Sequence, residues 1–530
     1  PTRCQIQCND MTAMAVLQSA DDARQRKVRT AKDCCEGQFL QSLAGQFMAP
    51  YSAGMELHIS LVGRKNLSGE IYRQLRRAIL EGQLRPGDPL PPSRELARQL
   101  TVSRTTVTGV YDRLAGEGFV TSRVGAGTVV SQHLASARTR PKNKRVGDTL
   151  RGRPVWDAIR MPTVIFAQPP RFDFRSGLPD AALFPHDAWR RLMARQLRSE
   201  AKGTIVYDSP AGNRRLREAI ARHIGVSRGV ETSADDVVVT NGTQQALDLV
   251  ARVLLSPGDH IAMEDPGYTL ANWAFTALGL RVRSVAVDRD GLAVDALPKQ
   301  ARAVYVTPSH QYPLGVSMTL PRRLALLAWA DRHNTAIIED DYDSEFRFGG
   351  RPIEPLRMLD TTGRVIYIGS FSKTLLPTLR LGFVVAPPSL REALHKAKLV
   401  ADWHTSTTIQ AALAHFIDDG GFARHIRKAR EVYRARHRMI ADAVARDFAD
   451  HLTVVPSATG LHIAAVARTA SADQIGVVVR RASDIGVVVQ ELSKFGVDSP
   501  GPPGLLLGYG PIPTARIEDG LRRLRSCFYH

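Results

Sequence analysis

Residues 370–383 read Ser-Phe-Ser-Lys-Thr-Leu-Leu-Pro-Thr-Leu-Arg-Leu-Gly-Phe and follow the apolar run 365–368, which predicts a buried strand. A lysine at the mouth of such a strand, among hydroxyls and near another cation, has a lowered pKa. The neutral amine of Lys373 can then attack a carbonyl and form a Schiff base. Ser370, Ser372 and Arg380 can hold a phosphate beside it, because hydroxyls donate hydrogen bonds and guanidinium is a planar fork.

A lysine, hydroxyls and an arginine at this spacing indicate pyridoxal 5'-phosphate (PLP). A lone lysine after a strand is more often a surface residue. The whole stretch, however, resembles the S-x-S-K-x-x-x-P-x-x-R-x-G signature of fold-type I aminotransferases, and so long a pattern favours the cofactor site. The resemblance implies an α/β domain in which Lys373 carries PLP as a Schiff base.

Length and composition predict a multidomain protein with an anionic partner. The chain has 530 residues, is 44% hydrophobic and carries a net charge of +19. It has no apolar run that could span a membrane and no signal-peptide core, so we expect a cytoplasmic protein. The five cysteines fit neither a disulfide framework nor a zinc site, and no metal is expected.

The N-terminal segment 1–65 carries little pattern. Met55 looks like a natural start, so we expect 1–54 to be a disordered upstream extension.

Residues 66–130 predict three helices and a β-hairpin, the order of a winged helix-turn-helix. Ser68, Ser93 and Ser103 are the expected N-caps, and Gly82 ends the first helix. The helices should run to Glu81, over 94–100, and from Arg104 to about Glu117. Such a motif inserts the start of its third helix into the major groove, where arginine reads guanine and threonine contacts phosphate or a thymine methyl.

The segments 90–97, 102–107, 111–114 and 118–120 resemble the DNA-binding domain of GntR-type regulators. The resemblance implies double-stranded DNA as a partner. It implies DNA-facing residues at Arg94, Arg104, Thr105, Thr106 and Thr108, and at a hairpin tip that includes Arg123 and Gly125. The alternative is a packing module whose charges are merely solvated.

Residues 131–172 predict a linker with repeated prolines, nine Lys/Arg and two Asp/Glu. This segment either contacts DNA phosphates or simply aids solubility.

From residue 173 to 530 strand and helix signals alternate, as in an α/β domain, and a smaller α/β subdomain follows Arg391. Strand 237–240 runs into a glycine turn and a helix start, which places free backbone N–H groups at one point. By resemblance to the aminotransferases, Gly242, Thr243 and Gln244 hold the PLP phosphate.

Residues 336–346 end a buried strand in a cluster of acids, at least one of which needs a cationic partner. A PLP pyridinium nitrogen is such a partner. By resemblance Asp340 takes this role and Tyr342 bonds the ring hydroxyl, with Asp341 as the alternative by register.

Four further side chains are candidates for the same pocket. By resemblance Tyr268 stacks on the pyridine ring, although a core aromatic is a live alternative. Tyr312 stands where many fold-type I enzymes have asparagine, so its ring-hydroxyl contact is either a phenol or missing. His310 is a pocket donor or a turn cap. Tyr207 resembles a tyrosine that reaches the neighbouring subunit's phosphate, or it is an ordinary loop residue.

The two domains together resemble the MocR/GabR family of PLP-dependent transcriptional regulators over about 66–525. The resemblance implies a homodimer that binds promoter DNA and senses PLP, an amine or an amino acid. The rival is an active aminotransferase with an accessory N-terminal domain; a third interpretation is a regulator whose catalytic fold is empty. Relatives carry carboxylate-binding arginines where this chain has Leu270 and Leu506, so we expect little or no transaminase turnover unless Arg347 or Arg351 substitutes.

Overall fold

The computed structural model describes residues 49–51, 55–57, 59–61, 66–123, 127–132, 151–159, 170–201, 207–349 and 354–529. These residues form two units that divide between Arg151 and Gly152. Most of the predicted extension, most of the predicted linker and the hairpin tip lie outside the described residues. Within the described part, no helix combines the length and the apolar character needed to cross a membrane.

The first unit is a winged helix-turn-helix, as predicted. Its elements are α1 (Leu67–Glu81), α2 (Ser93–Gln99), α3 (Arg104–Gly116), β3 (Val120–Arg123) and β4 (Gly127–Val130). The two strands pair antiparallel as the wing. Apolar residues recur at helical spacing, and Ile71, Leu75 and Leu114 are completely buried in one core.

The predicted caps are partly confirmed. The Ser103 hydroxyl accepts a hydrogen bond from the Thr106 amide at 3.1 Å, and Gly82 ends α1 with a positive φ of 83°. The predictions for Ser68 and Ser93 were wrong, because each helix begins at or before that serine, with Asn66 and Pro92 at the N-cap positions.

Ordered structure also precedes residue 66. Strands β1 (Ala49–Tyr51) and β2 (Met55–Leu57) pair antiparallel. Ile59 is buried in the core of the winged helix, and Gln74 exchanges two hydrogen bonds with the backbone of Ser60, at 3.0 and 2.6 Å. The first unit therefore begins before the predicted boundary.

The second unit is built on a mixed sheet of eight strands in the order β6-β13-β12-β11-β10-β7-β8-β9. The strands are β6 (Val237–Thr240), β7 (His260–Asp265), β8 (Arg281–Asp288), β9 (Gly291–Leu292), β10 (Ala301–Val306), β11 (Ala336–Asp341), β12 (Val365–Ser370) and β13 (Gly382–Val385).

The central strands β7, β8, β10, β11 and β12 are parallel, whereas β13 runs against both of its neighbours. β6 therefore points the same way as β12. Every residue of β6 and β12 is buried, which explains their continuous apolar sequences.

Helices surround this sheet and a smaller C-terminal subdomain follows it, as predicted. The helices are α4 (His186–Glu200), α5 (Arg214–Arg228), α6 (Thr243–Leu254), α7 (Thr269–Ala277), α8 (Leu320–His333), α9 (Leu356–Leu359), α10 (Arg391–Asp402), α11 (Thr407–Asp418), α12 (Gly421–Asp447), α13 (Ala472–Asp484) and α14 (Ile517–Ser526).

The subdomain holds an antiparallel sheet in the order β14-β15-β18-β17. Its strands are β14 (Leu452–Val454), β15 (His462–Ala467), β17 (Gln490–Glu491) and β18 (Gly504–Gly508). A separate parallel pair joins β5 (Phe172–Asp173) to β16 (Val487–Val488). The start of the second unit is thus tied to its C-terminal part.

The separate core of the first unit can be tested with Leu114→Ala. This leucine is completely buried, and truncating such a residue costs about 2–5 kcal/mol. The variant should lower the midpoint of the first unit's transition in calorimetry of the full chain and leave the second unit's transition in place. Leu80→Ala on the same unit is the control, since Leu80 is 52% exposed. Equal shifts for the two variants would contradict the packing described here.

Candidate functional site

A pocket of about 370 Å³ lies where the carboxyl ends of the parallel strands meet. Most of the predicted cofactor residues line it: Thr243, Gln244, Tyr268, Tyr312, Asp340, Tyr342, Ser370, Ser372, Lys373 and Arg380. Gly242 is in contact with the guanidinium of Arg380, which lines the pocket. Tyr207 does not line this pocket.

The amine of Lys373 is partly desolvated in the pocket, as the sequence predicts. Its Nζ donates a hydrogen bond to the Gly177 carbonyl at 2.6 Å. Burial lowers the pKa of Lys373; the carboxylates of Asp343 and Asp340 oppose this shift, and the charge of Arg380 adds to it. Gly177 has a φ of +75°, and a Cβ there would lie 3.1 Å from Nζ, so the backbone approaches the lysine closely.

An anion cradle lies at the start of α6. Gly242 has a φ of +75° and turns the chain from β6 into a helix whose first turn has no side-chain cap, so its N–H groups are open to an anion. The Arg380 guanidinium donates to the Asn241 carbonyl at 2.8 Å. A Cβ at Gly242 would lie 3.1 Å from that guanidinium, which explains the glycine.

The reversal of β13 explains why Arg380 reaches this cradle. In the register of the sheet, Gly382 pairs with Ser370 on one side and with Thr240 on the other. The start of β13 therefore lies at the same edge as the ends of β6 and β12. Ser370 and Ser372 are buried beside it, and the Ser372 amide donates to the Ser370 hydroxyl at 3.1 Å.

Gln244 is held by the pocket wall. Its side-chain amide donates to the Leu270 carbonyl at 2.8 Å, and its Oε1 has no hydrogen-bond partner among the described residues.

Asp340 carries a buried oxygen without a protein partner. Its Oδ2 accepts a hydrogen bond from the Tyr305 hydroxyl at 2.9 Å, while its Oδ1 has no partner within the described chain. Burial raises the pKa of Asp340 to about 7, and the neighbouring charge of Asp341 adds to the shift. This carboxyl therefore suits a bound cationic or hydrogen-bonding group.

The neighbouring carboxylate faces elsewhere. Asp341 accepts hydrogen bonds from Arg228 at 2.8 Å and from the Tyr367 hydroxyl at 2.7 Å, and it does not line the pocket. The structure thus brings Asp340, not the alternative Asp341, to the pocket.

Tyr342 is positioned by a buried network of hydrogen bonds. Its hydroxyl donates to the His310 carbonyl at 2.8 Å, and His310 Nδ1 lies 3.1 Å from both carboxylate oxygens of Asp343. His310 is buried and does not line the pocket, whereas His462 does.

His310, Asp343 and His462 have ligand atoms within 4.8 Å of one another. His462 Nε2 also donates to the Pro313 carbonyl at 3.1 Å. Each imidazole thus has a protein acceptor at one ring nitrogen, while Nε2 of His310 is buried without a hydrogen-bond partner among the described residues.

Two tyrosine rings form one wall of the pocket. Tyr268 and Tyr312 meet edge to face with 5.8 Å between ring centroids. The Tyr312 hydroxyl lies 3.1 Å from Ser176 Oγ. The sequence left two alternatives for Tyr312, a phenol contact or no contact at this position. In the structure its phenol lies in the wall of the pocket.

Several residues that line the pocket were not predicted from the sequence. They are Arg175, Ser176, Gly177, Leu178, Tyr305, Thr307, His462 and Gln490. The first four follow β5, and Gln490 fixes them by accepting from the Ser176 amide at 2.7 Å. In the sequence, only a glycine and a proline just after a short apolar segment mark these four residues. That pattern is too common to identify a site.

The predicted lack of a carboxylate-binding arginine needs one correction. Leu270 lines the pocket, while Leu506 is buried beneath it with Ala464 and Leu492. Arg347 lines a different groove, and Arg351 lies outside the described residues. The missed arginine Arg175 does line the pocket.

Arg175 is already engaged. Its guanidinium is bidentate on the carboxylate of Asp173, at 2.8 and 2.6 Å. Asp173 occupies the Nε–Nη2 side of this guanidinium, so a ligand carboxylate would have to compete with Asp173 for that side.

Tyr207 lies on an exposed aromatic surface. It is 72% exposed and stacks on Trp403 with 4.4 Å between ring centroids.

The starts of α2 and α3 carry the predicted DNA-facing residues that the structure describes. Arg94, Arg104, Thr105 and Thr108 are exposed and Thr106 is partly buried. Tyr111 donates to the Pro91 carbonyl at 2.7 Å, which ties α3 to the start of α2. The Arg123 side chain and Gly125 lie outside the described residues.

Both units match known families. Residues 67–130 match the model of bacterial regulatory proteins of the gntR family. Residues 173–506 match the model of class I and II aminotransferases.

Whole-chain relatives combine the two parts. The chain is 39% identical over 464 residues to the probable rhizopine catabolism regulatory protein MocR of Rhizobium meliloti, with 87% of this chain and 93% of that protein covered. This chain belongs to the MocR/GabR family of transcriptional regulators. A second MocR/GabR-type relative is the pyridoxine biosynthesis transcriptional regulator PdxR of Corynebacterium glutamicum, 34% identical over 375 residues, with 71% of this chain and 78% of that protein covered.

A solved aminotransferase shares the fold of the second unit. LysN, an α-aminoadipate aminotransferase of Thermus thermophilus complexed with N-(5'-phosphopyridoxyl)-L-leucine, gives a TM-score of 0.65 at 30% identity, with 71% of this chain and 97% of that chain covered. The predicted fold class is confirmed for both parts of this MocR/GabR-family chain.

The class I and II aminotransferase fold implies PLP as the cofactor of this MocR/GabR-family protein. The described residues fit such a group at three points. Asp340 Oδ1 is buried without a partner, the amine of Lys373 is desolvated, and the glycine turn beside Arg380 leaves room for an anion.

The environment of Asp340 predicts a pH-dependent stability in the cofactor-free protein. An aspartate in an unfolded chain titrates near pH 3.9, about three units below the folded-state pKa of Asp340. Between these values the folded state holds a proton that the unfolded state releases, so stability falls as pH rises. Asp340→Asn removes the ionisable group and with it this pH-dependent loss of stability. The variant should therefore raise the urea midpoint of unfolding more at about pH 7 than at about pH 5.

The control is Asp187→Asn, whose parent side chain is 80% exposed; it should shift the midpoint little, and equally at both pH values. An Asp340→Asn variant that loses as much stability at neutral pH as at acidic pH would show that the carboxylate is ionised and stabilised by a protein partner.

Proposed function

We propose that this protein is a PLP-dependent, DNA-binding transcriptional regulator whose aminotransferase-like domain senses PLP or an amine effector. The observation that carries the proposal is the unpartnered buried oxygen of Asp340 in a pocket with a desolvated lysine. The same chain presents an open arginine at the start of a recognition helix.

The pocket residues would divide the binding of PLP among themselves. Lys373 would bond the cofactor covalently, Asp340 would face the pyridine nitrogen, and Tyr342 would face the ring hydroxyl. Tyr268 would stack on the ring, and Tyr312 would approach the ring hydroxyl. The phosphate would be held by Gly242, Thr243, Gln244, Ser370, Ser372 and Arg380.

When bound, PLP supplies an aldehyde that captures amines and a ring that withdraws electrons. The protein's contribution is orientation and charge: Asp340 would keep the ring nitrogen protonated, and Tyr305 holds that carboxylate in place through its hydroxyl.

The pocket favours an effector without a carboxylate anchor. A bidentate arginine fixes the carboxylate of an amino acid in aminotransferases. Here Leu270 occupies one such position, and Arg175 is already paired with Asp173. We therefore propose PLP itself, or an amine without that carboxylate, as the effector.

A homodimer accounts for the exposed aromatic surface beside the cradle. Val400 is 86% exposed and Trp403 44% exposed, next to Tyr207. Exposed apolar residues in one cluster mark interaction surfaces. We propose that a second copy of the chain covers this surface and that Tyr207 reaches the partner's phosphate site.

DNA recognition would use the start of α3. Arg104 would read a base edge, and Thr105, Thr106, Thr108 and Arg94 would contact phosphates or a thymine methyl. The side chains of Arg94 and Arg104 have no hydrogen bond or ion pair with the described protein, so both are available to an anion. Arg123 and Gly125 of the wing would contact the minor groove or backbone, and the basic linker is an additional candidate for phosphate contact. A promoter-binding regulator is expected in the cytoplasm.

An active aminotransferase is the second candidate. The lysine, the buried aspartate and the arginine of the cradle occur together in one pocket, which favours some residual chemistry. The occupied fork of Arg175 argues against efficient turnover.

Arg104→Ala should weaken binding to the operator by about 1–3 kcal/mol and relax specificity at one base pair. Fluorescence anisotropy with the operator and its single-base variants, at one fixed salt concentration, measures both effects. Arg77→Ala is the matched control, because Arg77 is exposed on α1 and pairs with Glu81. A uniform loss over all sequences would mean that Arg104 contacts only phosphate, and no loss would exclude this turn from the groove.

Incubation with a panel of amino acids should leave the visible absorbance of bound PLP nearly unchanged, with little pyridoxamine phosphate formed. Leu270→Arg should increase conversion, because it adds a guanidinium to the pocket wall; Leu270→Met is the control of similar size. Rapid full conversion by the wild-type protein would show that a carboxylate site exists and would favour the enzyme.

A further inference from the structure

A second groove, of about 860 Å³, lies on the same unit as the cofactor pocket but shares no lining residue with it. Its walls are the last turns of α5, the end of α11 and the first turns of α12. The loop Ser344–Gly349 closes its base. The volume is in the range of small-molecule sites.

The lining of this groove is strongly basic. Among the described residues it contains five arginines and two carboxylates, Glu345 and Asp418. The arginines are Arg222, Arg228, Arg347, Arg427 and Arg430. Asp418 already accepts from Arg222 at 2.6 Å and from Arg215, which lies outside the groove, at 2.8 Å. The groove therefore has more positive charge than its own carboxylates balance.

Two of the guanidiniums are near each other at the base. Burial lowers the pKa of Arg347, and the positive charge of Arg228 adds to this shift. Arg228 donates to Asp341 and to Ser309, at 2.8 Å each. An anion bound at the base would reduce the repulsion between the two arginines.

The outer arginines on α12 face solvent. Arg427 is exposed and makes no hydrogen bond or ion pair with the described residues. Arg430, one turn further, is partly buried and donates from Nε to the Glu345 carbonyl at 3.0 Å. Their charges extend the basic lining from the base to the mouth.

Apolar side chains complete the groove. Phe422 and Ile426 of α12 line it from the core and are only 1% and 6% exposed, whereas Val226 of α5 is 92% exposed at its edge. An inorganic ion would leave the Val226 side chain in water, whereas an organic anion would cover it.

We propose that this groove binds a small organic anion, with a carboxylate or phosphate group on an apolar body, at a site separate from the cofactor pocket. The arginines contact the charged group, and the apolar wall of α5 and α12 contacts the body of the ligand. Arg228 connects the groove to the pocket, because its partner Asp341 is the next residue after Asp340. A ligand here is therefore placed to influence the cofactor pocket through one strand end.

Titration calorimetry with phenyl phosphate on the full-length, PLP-saturated protein tests the proposal, since PLP blocks the other anion cradle. Phenyl phosphate should bind with one-to-one saturation, and benzyl alcohol, its neutral counterpart, should not. The double variant Arg427→Ala/Arg430→Ala should weaken binding by at least about tenfold. Arg424→Ala, an exposed arginine on the same helix outside the groove, is the matched control and should bind like the wild type. The visible absorbance of bound PLP confirms that each variant is folded.

Binding that is absent, that survives the double variant, or that is lost in Arg380→Ala would overturn the proposal. The same holds if a short DNA duplex, but not phenyl phosphate, binds in an Arg427- and Arg430-dependent way, because the groove would then be a polyanion surface. A change of oligomeric state in the double variant, seen by sedimentation, would instead identify the groove as an interface between copies and would also overturn it.

Discussion

The common direction of β6, β7, β10, β11 and β12 is the constraint on which the cofactor pocket depends. Strands that point the same way bring their carboxyl ends to one edge, so residues more than a hundred positions apart in sequence meet there. Only β13 within this part of the sheet is reversed, and its reversal delivers Arg380 to the cradle from its amino end. A parallel β13 would put that arginine at the opposite edge.

Alternation along β11 then separates two buried carboxylates. Successive side chains of a strand point to opposite faces, so Asp340 faces the pocket while Asp341 faces Arg228 and Tyr367. The two carboxylates are neighbours in the chain, yet Asp341 is ion-paired with an arginine of the groove, whereas Asp340 accepts from the Tyr305 hydroxyl and faces the pocket. One strand end therefore connects an arginine of the groove with the cofactor pocket.

The fold and most residues of the candidate pocket could be predicted from short stretches of the sequence. Ser103, Gly82 and the Arg104-Thr105-Thr106 start identify the winged helix, because caps and turns are set by neighbouring residues. Lys373, Asp340 and Gly242 could be found because each lies at or just after the end of a recognisable strand. The cap predicted at Ser68 was wrong, since the apolar pattern allows the helix to begin two residues earlier, with Asn66 at the N-cap position.

Residues brought in by distant pairing could not be found. Ser176 meets Gln490 across 314 positions, and this contact depends on β5 joining β16 in the C-terminal part. The choice between Asp340 and Asp341 likewise required the register of β11, which a run of acidic residues leaves open. Arg175 was missed for the same reason, and its pairing with Asp173 became clear only when both were seen buried together.

The most direct test of the account is a titration of PLP into cofactor-free protein on a labelled DNA fragment that the protein has selected from a random-sequence pool. Visible absorbance reports cofactor loading, and anisotropy reports DNA affinity in the same sample. The account predicts that DNA affinity changes over the range in which the absorbance band develops, and that Lys373→Ala shows neither the band nor the same change. DNA affinity that stays constant while the wild-type protein becomes fully loaded would contradict the claim that this pocket regulates DNA binding.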